Sequence, residues 1–259
     1  MVKRMLSFSG GAGSFLSAVR TIERHGRDGL ELVFCDTLAE DCDLYRFNRD
    51  AEAFLGMKLT VLCEGRTPFQ TVFDKRYLNG SRADCSRLLK GKMLDAHAVA
   101  TQPDIRVIGI DWSESSRLED IREKLPQWTW EAPMIEPPRL TKEGMLFEIR
   151  RLGLEPPQMY AEGYEHNNCA GSCLKAGIGH WKHHLKARPA EFAKSEAQEN
   201  EFRQQYGDFA ILRDRRGGKT VPLPLSELRR RVESNETPSL FDDEEWGGCG
   251  CALNVEGDE

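Results

Sequence analysis

The sequence lacks an apolar run long enough to span a lipid bilayer. It also lacks, at its N-terminus, the basic-then-apolar pattern of a secretion signal. From these two absences we expect a cytoplasmic protein without a membrane partner. A large excess of positive charge is missing as well, since the formal net charge is −6 at pH 7. This charge excludes a uniformly basic, nucleic-acid-binding surface but allows a local basic groove.

Cysteine, by contrast, is frequent, with eight residues in a chain of 259. Cytosolic proteins rarely use cysteines as a disulfide framework, so some of these should be metal or cluster ligands, or reactive thiols. Cys35, Cys42 and Cys63 lie on or beside apolar segments, and we expect them to be buried, inert thiols. The other five are the candidates for chemistry: Cys85, Cys169, Cys173, Cys249 and Cys251.

Predicted strands and helices alternate through the first part of the chain. The apolar runs typical of strands are Met5–Phe8, Leu30–Asp36, Leu59–Cys63, Ile105–Ile110 and Glu131–Ile135. Segments with helical spacing separate them, so we predict an α/β fold with a doubly wound parallel sheet. We expect residues 1–138 to form this nucleotide-binding domain and residues 139–259 to form a helical, cysteine-rich region packed on it.

The region after residue 138 has a different pattern. An amphipathic helix is predicted over Leu140–Leu152, and a second helical stretch runs from His180 to Tyr206 with a break at Pro189. A hairpin is predicted over Ile211–Leu225. Its basic residues, Arg213 to Lys219, are either a clamp for phosphate or nucleic acid or a solvated turn, and the second reading is slightly favoured.

A glycine-rich segment, Ser9-Gly10-Gly11-Ala12-Gly13-Ser14, joins the first strand to the first helix. Glycine lets the backbone turn tightly and approach a ligand closely. The helix start beyond it offers free N–H groups at the positive end of the helix dipole, which suits a phosphate. The alternative is an ordinary strand-to-helix turn with Ser14 as its cap.

Polar residues follow two further strands. Asp36 ends the second strand, and Asp111 and Arg117 follow the fourth. Ligands of open α/β sheets bind at the carboxyl ends of the strands, so these residues would surround a nucleotide together with the glycine-rich segment. Asp36 would hold a ribose or a metal, and Arg117 a phosphate. For any single carboxylate, a helix cap or a solvated loop remains the alternative.

Three motifs in this order resemble the PP-loop superfamily, and specifically its phosphoadenosine-phosphosulfate (PAPS) reductase branch. They are Ser9-Gly-Gly-x-x-Ser14, Asp36-Thr37 and Cys85-x-Arg87-x-x-Lys90. Later segments extend the resemblance to about residue 180: Ala132-Pro-Met-Ile135, Leu140-Thr-Lys-Glu143, Met159-Tyr-x-x-Gly-Tyr164, Asn168-Cys169 and Cys173. The resemblance implies binding of ATP or another adenine nucleotide, with Mg²⁺ as an accompanying ion, and adds Arg87 and Lys90 to the nucleotide-binding residues.

Two positions depart from the pattern of that family. Gly13 stands where the usual Ser-Gly-Gly-x-Asp-Ser loop has aspartate, which puts ATP cleavage in doubt but not anion binding by the backbone. The spacing of Cys169 and Cys173 is Cys-x-x-x-Cys and not Cys-x-x-Cys. This spacing weakens direct transfer of a known ligand set.

The same resemblance implies a [4Fe–4S] cluster held by Cys85, Cys169, Cys173 and either Cys249 or Cys251. Four thiolates suit such a cluster, but they also suit a structural zinc, and redox thiols without metal are a third reading. Cys85 heads a predicted helix, where the dipole favours a thiolate. The catalytic candidates are Cys85, Cys251 and Asp36.

The function expected from this resemblance is that of an iron–sulfur enzyme of sulfur chemistry. Sulfur transfer to a nucleic acid or a small molecule is favoured. One alternative is a sulfonucleotide reductase in which Cys251 attacks, because Gly248-Cys249-Gly250-Cys251 is the nearest substitute for the Glu-Cys-Gly nucleophile of such enzymes. A second alternative is a non-catalytic nucleotide sensor with a structural metal centre.

The histidines near the cysteines carry less signal. His166, Asn167 and His180 lie beside the cysteine segment in sequence, where they would line a substrate pocket or pack around a cluster. His183 and His184 have no metal-like partner nearby in sequence, and we expect them on the surface.

Overall fold

The computed structural model of the chain describes residues 1–216 and 219–234. Five strands form its main sheet: β1 (Arg4–Ser7), β2 (Leu30–Asp36), β3 (Leu59–Cys63), β4 (Ile105–Ile108) and β5 (Thr129–Glu131). All neighbouring pairs are parallel, in the order β3-β2-β1-β4-β5. The predicted doubly wound α/β fold is therefore confirmed.

Ten α-helices and a hairpin complete the described part of the chain. The helices are α1 (Ala12–His25), α2 (Cys42–Leu55), α3 (Pro68–Lys75), α4 (Lys92–Thr101), α5 (Ser115–Lys124), α6 (Lys142–Arg151), α7 (Gln158–Ala161), α8 (Ile178–Ala187), α9 (Pro189–Tyr206) and α10 (Leu225–Glu233). The antiparallel hairpin strands are β6 (Leu212–Arg216) and β7 (Lys219–Leu223). Among the described residues, no helix is both long and apolar enough to cross a membrane.

Side chains alternate between the two faces of the sheet, and helices cover both. Leu6 of β1 belongs to a buried cluster with Phe15 of α1 and Phe47 of α2. Its neighbour Met5 lies in a second cluster with Leu94 of α4. Because alternate residues of a strand point to opposite faces, the apolar run of β1 requires a helical layer on each side.

The C-terminal part shares a core with the middle of the chain. Phe69 of α3 and Leu78 lie in one buried cluster with Trp181 of α8, Phe192 of α9 and Ile211. This cluster contains residues from both sides of position 138. The division of the chain at that position stays a prediction.

Several element boundaries differ from those predicted. The fifth strand is Thr129–Glu131 and not Glu131–Ile135, because the chain turns where the Ile135 N–H donates to the Ala132 carbonyl. Helix α3 was not predicted, although Thr67 and Gln70 form a capping box at its start. The predicted break at Pro189 is confirmed, since α8 ends at Ala187 and α9 begins at Pro189.

The expectation of three buried thiols is correct only for Cys35. Cys42 and Cys63 are exposed. Cys63 ends β3, which is an edge strand of the sheet, and Cys42 is the first residue of α2. Burial raises the pKa of the Cys35 thiol to about 12, which keeps this thiol protonated.

Candidate functional site

A cavity of about 740 Å³ opens at the carboxyl ends of β1, β2 and β4. Within the sheet, β2 lies on one side of β1 and β4 lies on the other. The cavity therefore occupies the topological switch point, where the strand order reverses. It is lined by the glycine-rich segment, by residues after β4 and by the segment 163–168. The predicted nucleotide-binding residues that border it are Ser9, Gly11, Gly13, Ser14, Lys90, Asp111 and Arg117.

The start of α1 forms one wall of this cavity. Gly11 is the N-cap and has no side chain that could accept from the first-turn N–H groups. These groups lie at the positive end of the helix dipole, beside the cavity. The Ala12 N–H donates to the Tyr160 hydroxyl at 3.2 Å. Ser14 Oγ donates to the Gly11 carbonyl at 2.9 Å, and Ser9 Oγ donates to Ser14 Oγ at 3.2 Å. The start of α1 thus presents the positive end of its dipole to the cavity, an arrangement that suits an anion.

The glycines of this loop are required by close backbone packing. A Cβ on Gly13 would lie 2.5 Å from the Gly109 carbonyl oxygen, and a Cβ on Gly109 would lie 2.6 Å from Ser14 Cα. Gly10 has a φ of +74°, and a Cβ there would lie 2.8 Å from Asn48 Oδ1. Position 13 therefore has no room for the aspartate of the resembling family without a shift of β4.

Asp36 and Arg87 lie outside the wall of the cavity. Asp36 Oδ1 accepts hydrogen bonds from the Tyr45 hydroxyl and the Leu38 N–H, both at 2.8 Å. Burial, together with this bond to Asp36, raises the pKa of the Tyr45 hydroxyl well above its usual range. Arg87 donates to Asp84 at 3.1 Å. Gly10 is likewise absent from the lining, and the assigned roles of all three stay predictions.

The segment after β4 contributes charged side chains to the cavity. Asp111 Oδ1 accepts from the Ser113 N–H at 2.9 Å and from Ser113 Oγ at 2.5 Å, so it caps the short turn that follows. Arg117 is paired with Glu114 one helical turn away. Both predicted residues therefore lie at the site, each with a local partner.

Glu40 links three segments beneath the cavity. Its side chain is 1% exposed and lies 3.1 Å from the Lys90 ammonium, which borders the cavity. Glu40 also accepts from Thr37 Oγ1 at 3.0 Å and from the Cys169 N–H at 2.8 Å. The loop after β2, the π-helical turn Arg87–Gly91 and the cysteine segment are therefore fixed to one carboxylate. Local sequence patterns contain no signal for this linking role of Glu40, because Lys90 and Cys169 are 50 and 129 residues away.

The cysteine segment has an unusual backbone. Cys169, Ala170 and Gly171 have φ values of 48°, 50° and 89°, three consecutive residues in the left-handed region. Such a conformation costs roughly 1–2 kcal/mol for each non-glycine residue. Two hydrogen bonds hold this backbone conformation in place. The Cys169 N–H donates to the Glu40 carboxylate, and His180 Nε2 lies 2.6 Å from the Gly171 carbonyl oxygen.

The described residues do not by themselves form a metal centre. Cys85 and Cys173 share one buried core, and Cys169 is also buried. In residues 1–216 and 219–234, no three His, Cys, Asp or Glu side chains come together as metal ligands. The predicted four-thiolate site would need Cys249 or Cys251, and both lie outside the described residues.

The expectation that His184 is a surface residue is wrong. Its side chain is fully buried, and Nδ1 lies 2.7 Å from the Tyr164 hydroxyl while Nε2 lies 3.3 Å from Ser172 Oγ. Burial lowers the pKa of His184 to about 3 and raises the pKa of Tyr164 to about 12. Both groups are therefore neutral at physiological pH, and His184 contacts the cysteine segment through Ser172.

Several lining residues were not predicted as site residues. Lys142 begins α6, and its Nζ lies 5.6 Å from the centre of the Tyr160 ring. Both belong to motifs quoted for the family resemblance, which was the available signal. Further lining residues that were not predicted are Cys35, Gly109, Glu143 and Glu165.

These features define a doubly wound α/β protein with a helix N-terminus facing a cavity at its switch point. Comparison with family models and with curated proteins finds no match. Among solved structures, the chain is similar to a PAPS reductase from Candida auris in a phosphate complex, at 12% identity and a TM-score of 0.44, over 64% of this chain and 80% of that one. It is also similar to the U34-tRNA thiolase NcsA from Methanococcus maripaludis with its [4Fe–4S] cluster, at 14% identity and 0.44, over 98% and 78%. A third is the NH3-dependent NAD synthetase from Campylobacter jejuni, at 14% and 0.40, over 92% and 89%.

Proposed function

We propose that this protein binds an adenine nucleotide in the cavity, with the phosphates on the N-terminus of α1. The start of α1 supports this proposal, because its N-cap Gly11 supplies no side-chain hydrogen bond and it faces a cavity of about 740 Å³ at the switch point. Backbone N–H groups and the helix dipole both favour an anion there. Three cationic side chains border the same cavity: Lys90, Arg117 and Lys142.

The reaction we propose is one of sulfur chemistry in a PP-loop enzyme similar to PAPS reductases. ATP would adenylate an acceptor with release of pyrophosphate, and a sulfur nucleophile would then displace AMP from the adenylated acceptor. Cys169 follows the lining residue Asn168, so its thiol lies near this site, whereas Cys35 borders the cavity but stays protonated and is a poor nucleophile. The acceptor class is a nucleic acid or a small molecule.

The predicted [4Fe–4S] cluster and its alternative, zinc, stay predictions. The thiolates of Cys85, Cys169 and Cys173 do not form a ligand group within the described residues. Anaerobic purification with iron, sulfide and zinc counting tests this cofactor prediction directly.

Calorimetric titration with ATP and Mg²⁺ tests nucleotide binding. Arg117→Ala should weaken ATP binding about tenfold, because it removes a cation from the cavity wall. Arg122→Ala is the matched control, since Arg122 lies on the same helix and also pairs with a glutamate three residues away, but does not border the cavity. Equal effects of the two substitutions, or no ATP binding at all, would contradict the proposal.

A non-catalytic nucleotide sensor is the second candidate function. The packing of Gly13 against Gly109 favours it, because no carboxylate can occupy position 13. Release of AMP and pyrophosphate from ATP supports the enzyme, and binding without release supports the sensor. Sulfonucleotide reduction makes a different prediction, a thiosulfonate on Cys251 that mass spectrometry detects after incubation with a sulfonucleotide.

A further inference from the structure

Asn167 carries a buried oxygen that has no hydrogen-bond partner among the described residues. The residue is 3% exposed, and it borders the cavity. Its Nδ2 donates to the Gly10 carbonyl at 3.3 Å, whereas Oδ1 has no partner. Most buried polar side-chain atoms are paired, so this unpaired buried oxygen, on a residue that borders the cavity, indicates an acceptor whose hydrogen bond a ligand supplies.

The bond to Gly10 fixes which end of the amide is available. An amide oxygen turned toward the Gly10 carbonyl would place two acceptors against each other, so the NH2 group must face it. The remaining oxygen is an acceptor only. It can be satisfied by a hydroxyl or amino group of a ligand but not by a phosphate, whose oxygens are also acceptors.

We propose that Asn167 Oδ1 accepts a hydrogen bond from a ribose hydroxyl of the bound nucleotide. This inference rests on the proposed function, which places the phosphates on the N-terminus of α1. Asn167 is bonded to Gly10, directly before the N-cap Gly11, so it lies near those phosphates. An adenine nucleotide has hydrogen-bond donors only on its ribose and on its base amino group. The ribose lies next to the phosphates, and the amino group lies at the far end.

The proposal defines the class of substrate. A ribonucleotide such as ATP, with a free hydroxyl at the bonded position, donates the hydrogen bond that Asn167 Oδ1 lacks. A deoxynucleotide leaves the buried oxygen unpaired, and a nucleotide phosphorylated at that hydroxyl places an acceptor against it. Asn167 therefore selects free ribonucleotides over deoxy and ribose-phosphorylated ones.

Calorimetric titrations with ATP, 2′-deoxy-ATP, 3′-deoxy-ATP and purine riboside triphosphate test this assignment. The full chain should bind one of the two deoxy analogues about tenfold more weakly than ATP, the loss expected for one unmade hydrogen bond to a buried acceptor. In Asn167→Leu that discrimination should fall to less than about twofold. Asn167→Ser replaces the leucine variant if the latter does not fold.

Asn48→Leu is the matched control. Asn48 is also buried, its Oδ1 also lacks a partner among the described residues, and it also adjoins Gly10, but it does not border the cavity. It should keep the ratio of ATP to deoxy-ATP affinity. The proposal is overturned if Asn167→Leu keeps that ratio, or if the unmodified chain binds ATP, 2′-deoxy-ATP and 3′-deoxy-ATP equally. It is also overturned if purine riboside triphosphate, which lacks the base amino group, is the only analogue that binds weakly. Failure of the unmodified chain to bind ATP would instead overturn the proposed function.

Discussion

Gly13 and Gly109 bring the start of α1 and the end of β4 into direct backbone contact. A Cβ on Gly13 would lie only 2.5 Å from the Gly109 carbonyl oxygen, a separation that real Cβ atoms do not show. The atom in the way belongs to the backbone, so no side-chain rotation relieves the contact. The glycine at the position where the resembling family has aspartate is thus required by the packing of this particular sheet.

Gly13→Ala should destabilise the protein by about 1–3 kcal/mol and weaken ATP binding, because the added methyl group forces α1 away from β4. Gly13→Asp should destabilise the protein further and weaken ATP binding more, because its side chain is larger. Urea unfolding and ATP titration measure the two effects. Gly144→Ala is the control, since a Cβ there meets nothing closer than 3.5 Å and the position does not border the cavity. An aspartate variant of normal stability would contradict this reading of position 13.

Glu40→Gln should destabilise the protein by about 3 kcal/mol, because it removes the carboxylate partner of the nearly buried Lys90 ammonium. Unfolding in urea measures the loss. Glu136→Gln is the control, because the Arg24–Glu136 pair is about half exposed and should contribute less than about 1 kcal/mol. A loss at Glu40 no larger than that at Glu136 would show that Glu40 does not hold the three segments together.

Glu199 should make the protein less stable as the pH rises. Its buried carboxyl accepts from the Ile211 N–H at 2.8 Å and the Leu225 N–H at 2.5 Å, and burial raises its pKa from 4.5 to about 7. The folded state therefore binds this proton more tightly than the unfolded state. Stability is lost between pH 4.5 and about 7, by on the order of 3 kcal/mol. Urea unfolding across this range should show the slope in the unmodified protein and not in Glu199→Gln, and parallel curves would contradict it.

His184 should have the opposite effect. Burial lowers its pKa from 6.5 to about 3, so the unfolded state binds the proton more readily. Stability is lost as the pH falls through this window, and His184→Gln should lack that part of the acid dependence. The windows of His184 and Glu199 overlap with opposite signs, so each must be measured in its own variant. A titration of the His184 ring by NMR with a midpoint near 6.5 would contradict the prediction.

Local patterns were sufficient to predict the parallel sheet and the break at Pro189. The apolar runs and the glycine-rich turn act over a few residues, and they specify strands and a strand-to-helix turn wherever they occur. The same holds for most predicted residues that border the cavity, because the ends of parallel strands meet at one edge. Six of them were predicted in this way, namely Ser9, Gly11, Gly13, Ser14, Asp111 and Arg117, whereas Lys90 came from the family resemblance.

The order of the strands and the contacts between distant segments were not predictable from the sequence. Exposure of Cys63 depends on β3 being an edge strand. Burial of His184 depends on contacts with Tyr164 and Ser172, which approach it from an adjacent segment. The role of Glu40 depends on partners far along the chain. No periodicity within one segment contains such information.

The shared core of α3 with α8 and α9 has a consequence for how the chain is made. Phe69 and Leu78 leave the ribosome about a hundred residues before Trp181 and Phe192, against which they pack. The growing polypeptide must therefore keep these early apolar side chains uncovered until the later helices have been synthesised. A nascent chain stopped near residue 138 would be a substrate for chaperones, whereas one released after residue 234 could close this cluster.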